Sequence, residues 1–176
     1  YLLIIMCGIV AVIGSREAAP VLLNGLRHLE YRGYDSAGLA TIENLNDDQI
    51  GVLTTRKSKG KLINLSNLVK ENGARGHLGI GHTRWATHGK PGERNAHPHL
   101  DSSSQIAVVQ NGIIENHSSL RSQLELNGIE FRSDTDTEVI PHLISQELFR
   151  LKKEGYESGS SLLQLAVQKV LDVLKG

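Results

Sequence analysis

The sequence has a single cysteine, Cys7, among 176 residues, together with one tryptophan and no excess of either charge. One cysteine excludes an internal disulfide and a metal site built from several thiolates, and it fits a reducing compartment such as the cytoplasm. Nineteen basic residues balance nineteen acidic ones, so no net field favours a phosphate backbone or an anionic bilayer. We therefore expect no nucleic-acid partner and no membrane partner.

Long hydrophobic runs are also scarce. One apolar stretch opens the chain at residues 2–13, which gives 12 residues where a membrane-spanning helix needs about 20. The first positive charge, Arg16, follows this stretch, whereas a signal peptide carries its basic region in front. The isoleucine and valine content of the stretch, ended by Gly14, therefore predicts a buried strand.

The rest of the sequence contains strand-like and helical patterns. Apolar residues recur at helical spacing in 16–29, 62–71, 118–126, 137–153 and 160–174. The segments GLATI, IGVLTT, LGIGHTR and QIAVVQ are typical of strands, and the polar segment ENLNDDQ separates the first two. The strands precede most of the helices without regular alternation, which predicts one domain of the α+β class.

The first motif able to carry chemistry is Met6-Cys7-Gly8, at the head of the opening strand. If the chain were processed after Met6, Cys7 would carry a free α-amino group, whose pKa of about 7.7–8.0 suits a general base for its own thiol. Gly8 would let a substrate approach the backbone closely. The alternative is a small, buried and chemically inert cysteine.

Four histidines crowd the segment GHTRWATHGKPGERNAHPH, namely His82, His88, His97 and His99. No cysteine or carboxylate set completes a tetrahedral shell, and the spacing fits no usual zinc pattern, so we predict no metal site. In the same segment, Arg84 offers a planar fork that matches a substrate carboxylate. A solvated loop arginine is the alternative interpretation.

The segment QIAVVQNGIIEN has a structural and a functional interpretation. Asn111-Gly112 after a strand is a strong signal for a type I′ hairpin. The same pair would place an amide side chain beside a glycine N–H, and two such donors suit a developing oxyanion. The local sequence leaves both interpretations open.

The segment SDTDTEV is similarly ambiguous. Thr135 and Glu138 fit a capping box ahead of an apolar run, which predicts the start of a helix. The functional interpretation assigns either Asp134 or Asp136 to a substrate ammonium group. Spacing does not choose between these two carboxylates.

Six motifs together resemble, in the same order, the glutaminase domain of glucosamine-6-phosphate synthases: CGIVAVIG, LEYRGYDSAG, GHTRWATHG, NAHPH, QNGIIENH and SDTDTEV. That domain is an N-terminal-nucleophile (Ntn) glutamine amidotransferase. The likeness runs from Cys7 to about Val139, and Tyr34 with the segment WATH favours the aminosugar enzymes over amidophosphoribosyltransferases and asparagine synthetases. It implies an α+β fold of the Ntn-hydrolase type, a four-layer αββα sandwich.

The resemblance implies a role in glutamine hydrolysis for several residues. Cys7 would be the nucleophile that forms a γ-glutamyl thioester and releases ammonia, with Asn111 and Gly112 as the oxyanion hole. Arg84 would hold the α-carboxylate of L-glutamine, and Asp136 would hold its α-ammonium group. A zwitterionic substrate needs one cation and one anion, and this pair supplies them.

The resemblance also assigns Trp85 to a loop that closes over the substrate, with Thr87 and His88 lining the same pocket. It implies no cofactor and no metal. Fructose 6-phosphate would bind only to sugar-isomerase domains that this sequence does not contain. The full-length enzyme would be a cytoplasmic homodimer.

Three features depart from the family pattern. Residues 1–6 precede Cys7 and would block its amine, so we expect a leader at 1–6 and an incomplete glutaminase domain at 7–176. Gln110 stands where the family often has histidine, which would tune the oxyanion region. The sequence stops at Gly176, where the family's domain continues into further strands. The alternatives are a catalytically silent fragment that binds glutamine, or the glutaminase domain of a related amidotransferase.

Overall fold

The structure, a computed structural model, describes residues 7–43, 51–86 and 89–176. The predicted leader at 1–6, most of the polar segment ENLNDDQ, and the predicted site residues Thr87 and His88 lie outside the described residues. The chain divides into two compact units. The first runs to Pro98 and includes Val109–Asn111, and the second contains His99–Val108 and Gly112–Gly176.

A four-stranded antiparallel sheet is the framework of the first unit. Its strands, in the order β1-β4-β2-β3, are β1 (Gly8–Ile13), β2 (Ser36–Glu43), β3 (Val52–Lys59) and β4 (Leu78–Arg84). Gly8 pairs with Thr83, so the head of β1 lies beside the end of β4. Ser36 pairs with Arg84 on the other side of β4. Three segments that are far apart in sequence therefore meet at one end of the sheet.

Two helices cover one face of this sheet, as the apolar spacing predicts. The first, α1 (Ala18–His28), has Pro20 in its first turn, where its missing N–H costs no hydrogen bond. The second, α2 (Leu62–Asn72), ends at Gly73, whose φ of +68° favours glycine. Both predicted helices are confirmed to within two residues at each end.

The packing of α1 on the sheet depends on a glycine in β4. A Cβ atom on Gly79 would lie 2.8 Å from Cδ1 of Leu22 and 2.8 Å from the carbonyl oxygen of Ala40, so a larger residue would push the helix away. Leu22 and Leu26 of α1 are fully buried, together with Leu39 of β2. Each such leucine contributes about 1.5–3 kcal/mol by burial. This face of the sheet is therefore the core of the first unit.

The prediction of a buried opening strand is wrong for one face of β1. Val10 and Val12 pack against the α1 core, whereas Ile9 is 40% exposed and Ile13 is 81% exposed. Successive side chains of a strand point to opposite faces, and β1 is an edge strand that contacts α1 with only one of them. The composition of a continuous apolar run does not reveal that the described elements cover one face of the strand more than the other.

The second unit contains, among its described residues, one two-stranded sheet and three helices. The elements are β5 (His99–Leu100), β6 (Ala107–Val108), α3 (His117–Leu126), α4 (Val139–Lys153) and α5 (Ser160–Leu171). Their core includes Leu124, Val139 and Val170. All three helices were predicted, although α5 ends three residues earlier than its apolar pattern. No helix in the described part of the chain is long and apolar enough to span a bilayer.

The segment QIAVVQ forms a much shorter strand than predicted. Only Ala107 and Val108 pair with β5, and both are half-buried. The carboxylate of Asp101 accepts the backbone N–H groups of Gln105 and Ile106 at 2.8 Å each. These two groups are therefore held by a side chain within the turn. A strand pattern in the sequence does not show that a side chain will take up backbone N–H groups that could otherwise pair with a neighbouring strand.

The predicted capping box is also wrong, because α4 begins later than the motif implies. The helix starts at Val139, and the hydroxyl of Thr135 lies 3.0 Å from Nε2 of His99 and caps no helical N–H. The Glu138 carboxylate accepts the backbone N–H groups of Arg132 at 2.7 Å and Ser133 at 2.6 Å. Glu138 therefore binds backbone N–H groups two and three residues before Thr135, whose own N–H would be the partner in a capping box.

Glu138 is almost completely buried, and its carboxylate accepts the two backbone N–H groups named above and lies near a histidine. Nε2 of His142, one helical turn away, lies 3.6 Å from Oε1 of Glu138. Burial by itself would raise the pKa of Glu138, but His142, Ser133 and the backbone N–H groups outweigh it and lower the pKa to about 2. The folded state therefore favours the carboxylate over the acid.

Replacing Glu138 with glutamine should destabilise the chain by about 3 kcal/mol at pH 7, because one backbone N–H would then face an amide NH₂ group. The folded pKa lies below the unfolded value of 4.5, so this stabilisation is complete above about pH 5 and is lost as the pH falls towards 2. Urea denaturation of both proteins between pH 7 and pH 3 measures the difference. A matched control is Glu125→Gln, an exposed residue whose ion pair with Arg121 is worth under about 1 kcal/mol. Equal losses for the two variants would contradict the prediction.

Candidate active site

The site begins at Cys7, immediately before β1. Its thiol is free and partly accessible. The next residue leaves no room for a side chain, because a Cβ atom on Gly8 would lie 2.7 Å from Cδ1 of Leu29 and 2.8 Å from Oγ1 of Thr83. The N–H of Gly8 donates to the same Thr83 hydroxyl oxygen at 3.1 Å. The backbone that carries Cys7 is thus fixed by β4 on one side and by α1's end on the other.

The pairing of β1 with β4 brings Trp85 to the thiol. Because Gly8 lies opposite Thr83, Cys7 comes next to Arg84, the last residue of β4, and Trp85 follows directly. The backbone N–H of Trp85 donates to Sγ of Cys7 at 3.1 Å, and Sγ lies 3.6 Å from the Trp85 carbonyl oxygen. The indole side chain is 42% exposed. The contact with the thiol is therefore made by the backbone of Trp85.

Arg84 is buried at the end of β4, with 4% of its side chain exposed. Its Nη1 lies 3.8 Å from Oδ1 of Asp35, and its Nη2 donates to the carbonyl oxygen of Gly89 at 3.4 Å. The other oxygen of Asp35 accepts the backbone N–H of Ala86. One carboxylate thus holds both the Arg84 guanidinium and the first residues after β4. This placement excludes a solvated loop arginine.

Asn111 is the second polar group at Cys7. Its Nδ2 donates to the Cys7 carbonyl oxygen at 3.3 Å, and its Oδ1 lies 2.8 Å from Nε2 of His82 in β4. The His82 ring stacks on the ring of His97, with centroids 4.2 Å apart and planes inclined by 18°. Asn111 therefore connects the backbone of Cys7 to a pair of buried imidazoles.

The predicted type I′ hairpin at Asn111-Gly112 is wrong. The nearest strand, β6, ends at Val108, and the chain continues after Gly112 into a loop that leads to α3. The side chain of Asn111 is committed to His82 and Cys7, 29 and 104 residues away in sequence. Gly112 has a φ of +149°, within the range that favours glycine.

The second unit holds the remaining described candidates, Gly112 and Asp136. Asp136 is 4% exposed, and its Oδ2 accepts the backbone N–H of Ile114 at 2.7 Å. It is thereby tied to the loop that follows Gly112. Asp134, the alternative carboxylate, is in the same loop as Asp136, before α4.

Three of the four histidines in the histidine-rich segment have partners among the described residues. His82 and His97 stack on each other in the first unit, and His99 bonds the Thr135 hydroxyl in the second. Within the described residues, no three potential metal ligands come together. Sequence reasoning did not identify His82 or Asp35 as partners of the site residues. The only available signal was their position within the motifs GHTRWATHG and LEYRGYDSAG.

Comparison with known proteins identifies the chemistry to which these motifs belong. Residues 66–148 match the family described as "Glutamine amidotransferase domain". A glutamine–fructose-6-phosphate aminotransferase (isomerizing) from Thermosynechococcus vestitus is 61% identical over 143 residues, which is 81% of this chain and 22% of that protein. One of the same name from Synechocystis sp. is 51% identical over 171 residues, or 97% and 26%. The chain spans about a quarter of the length of these curated relatives.

Two solved structures share the fold. Glutamine phosphoribosylpyrophosphate amidotransferase from B. subtilis, complexed with ADP and GMP, has a TM-score of 0.72 and 29% identity, and the match covers 96% of this chain and 33% of that one. A structure described as the allosteric regulatory enzyme of purine biosynthesis has a TM-score of 0.73, 30% identity and the same coverage. The predicted α+β fold of the Ntn-hydrolase type is confirmed, as is the resemblance to glutamine amidotransferases.

Proposed function

This chain contains a glutamine amidotransferase domain, and on that premise we propose that it hydrolyses the side-chain amide of L-glutamine through Cys7 and releases ammonia. The observation that carries the proposal is the position of the thiol. Sγ of Cys7 accepts a hydrogen bond from the backbone N–H of Trp85. The side-chain amide of Asn111 donates a hydrogen bond to the carbonyl oxygen of Cys7. A nucleophile and a neutral hydrogen-bond donor are thus gathered at one strand end, as acyl transfer requires.

In the proposed reaction, Cys7 Sγ attacks the side-chain carbonyl carbon of glutamine. The α-amino group of Cys7, once freed of residues 1–6, accepts the thiol proton and passes it to the departing nitrogen. The N–H groups of Asn111 Nδ2 and Gly112 stabilise the oxyanion while the carbon–nitrogen bond breaks. Ammonia leaves, water adds to the γ-glutamyl thioester, and glutamate and the thiol are regenerated.

Substrate recognition is proposed to use the charges of a zwitterion. Arg84 would bind the α-carboxylate, because its planar fork makes two parallel hydrogen bonds and Asp35 holds the guanidinium in place. Asp136, in the second unit, keeps its predicted role towards the α-ammonium group. Trp85, Thr87 and His88 are proposed to line the same substrate pocket.

We further propose that the ammonia serves glucosamine 6-phosphate synthesis from fructose 6-phosphate, in sugar-isomerase domains of a longer, dimeric protein. The support is the degree of identity. Relatives named for fructose 6-phosphate are 61% and 51% identical to this chain, whereas the phosphoribosylpyrophosphate amidotransferase is 29% identical. Residues 1–6 would be a leader and residues 7–176 an incomplete glutaminase domain of that protein.

The test combines an ammonia assay with a diazoketone analogue of glutamine, applied to the chain with Cys7 as its first residue. We expect ammonia release that depends on L-glutamine, and one label per chain on Cys7, located by peptide mass spectrometry. Excess L-glutamine should protect against the label. A chain that neither releases ammonia nor takes up the label would be a catalytically silent fragment, and the proposal would be rejected.

A further inference from the structure

The orientation of the Asn111 amide follows from the chemistry of its two neighbours. One end of the amide lies 3.3 Å from the Cys7 carbonyl oxygen, which can only accept a hydrogen bond. That end must therefore be the NH₂ group. The other end is then Oδ1, an acceptor, and it lies 2.8 Å from Nε2 of His82.

This orientation in turn fixes the tautomer of His82. Since Oδ1 of Asn111 accepts, Nε2 of His82 must carry the proton and donate it. Nδ1 of the same ring is buried, and no group in the described part of the chain meets the distance and angle of a hydrogen bond to it, although the backbone of Gln110 is near enough to influence the ring. A proton on Nδ1 would be an unsatisfied buried donor, which is costly, so the ring is neutral and protonated at Nε2 alone.

The electrostatic surroundings agree with a neutral ring. Burial lowers the pKa of His82 to about 4, and the positive charge of Arg84 acts in the same direction. The side chain of Asn111 and the backbone of Gln110 both favour a proton on the ring, and they oppose this shift without cancelling it. At neutral pH, His82 therefore acts as a fixed hydrogen-bond donor and carries no charge.

A second histidine holds this donor in place. The ring of His97 stacks on His82, and its Nδ1 accepts the N–H of Gln110 at 3.4 Å, next to Asn111 in sequence. The backbone of His97 lies directly against β2, where a Cβ atom on Gly38 would come within 2.2 Å of the His97 carbonyl oxygen. The stacked pair therefore joins a side chain of β4 to a segment whose backbone lies against β2.

We propose that His82 is a positioning residue for the reaction: its Nε2–H holds Oδ1 of Asn111, so that the amide N–H groups point towards the Cys7 side of the site. The inference rests on the proposed function, in which those N–H groups meet the oxyanion. Misplacement of such a donor by about 1 Å costs up to 10²-fold in rate, so the hydrogen bond from His82 matters although His82 does not contact the substrate.

The test uses two substitutions at His82 in the form of the chain that releases ammonia. His82→Leu fills the space but removes the donor, and kcat should fall about 10- to 100-fold with the KM for glutamine changed less than about threefold. His82→Gln places an amide N–H near the position of Nε2 and should recover most of the loss. In an Asn111→Ala background, His82→Leu should add less than about a twofold further loss, because its effect passes through Asn111.

Nuclear magnetic resonance of the ¹⁵N-labelled full chain tests the hydrogen bond without an activity assay. At pH 7 the His82 ring should be protonated at Nε2 and bare at Nδ1, with the signals assigned by their absence from the His82→Gln spectrum. An Nδ1-protonated or doubly protonated ring would overturn the inference, even if His82→Leu does not fold.

The kinetic outcomes separate the two proposals. An active parent chain with an unchanged kcat in His82→Leu, or a further tenfold loss in the Asn111→Ala background, would overturn the positioning role alone. A parent chain that is inactive and unlabelled by the diazoketone would overturn the proposed function, and the positioning role in catalysis would fall with it.

Discussion

A chain that begins at Cys7 should release ammonia from L-glutamine, and its Cys7→Ala variant should release none above the uncatalysed background, a loss of at least about 10³-fold. Alanine offers no nucleophile, so no γ-glutamyl thioester can form. The thiol is partly accessible and contacts the backbone of Trp85, so the substitution should cost less than about 1 kcal/mol of stability. A coupled ammonia assay and thermal unfolding measure both quantities.

The same chain with residues 1–6 still attached should lose activity by roughly 10²–10⁴-fold, because a peptide nitrogen cannot accept the thiol proton. Alkylation by iodoacetamide serves as the control, since the thiol should remain accessible in the extended chain. Comparable turnover with and without the six residues would show that the α-amino group is not the base. Another group near Cys7 would then have to be sought.

The second large effect is expected from Arg84→Lys, which should raise the KM for glutamine about 10- to 150-fold and leave kcat nearly unchanged. Lysine keeps the positive charge beside Asp35, which lies 3.8 Å from the guanidinium, but it loses the planar fork for the α-carboxylate. Alanine is a poorer probe, because truncation would leave the Asp35 carboxylate without this cation and cost stability as well. Initial-rate kinetics over a wide range of glutamine concentration measure the effect.

Arg75→Ala is the matched control for Arg84, since Arg75 is an exposed arginine of the same unit. It should leave both KM and kcat within about twofold of the parent. A KM that does not change in Arg84→Lys would remove Arg84 from the carboxylate role. An equal rise of KM in both variants would indicate a general electrostatic effect on the substrate.

The helices were the most predictable part of the fold, because a stripe of apolar residues at a spacing near 3.6 specifies both the element and its buried face. α1 and α4 follow this rule, with Leu22 and Leu26 in one core and Ile140 and Ile144 in the other. The strands were less predictable. The burial of Ile13 and the length of the strand in QIAVVQ both depend on contacts with segments distant in sequence. Local composition does not encode these contacts.

The candidate site also has a part that the sequence predicts and a part that it does not. The motifs contained the residues that lie around the thiol, because chemistry requires a cysteine, an arginine and an amide of particular types. Their supporting contacts were not predictable, since the donor to Asn111 comes from His82 and the partner of Arg84 from Asp35, 29 and 49 residues away in sequence. Long-range contacts of this kind follow from strand register, which no single motif contains.

The register of β1 against β4 determines two things together: the position of Cys7, and which side chains of β1 pack into the hydrophobic core. A slip of one residue would move Cys7 about 3.3 Å along the strand, away from the N–H of Trp85. The same slip would turn Val10 and Val12 away from α1 and bring Ile9 and Ile13 towards it. A chain with its thiol misplaced would thus also have the wrong side chains in its core, so the stability of the sheet selects the arrangement in which Cys7 can react.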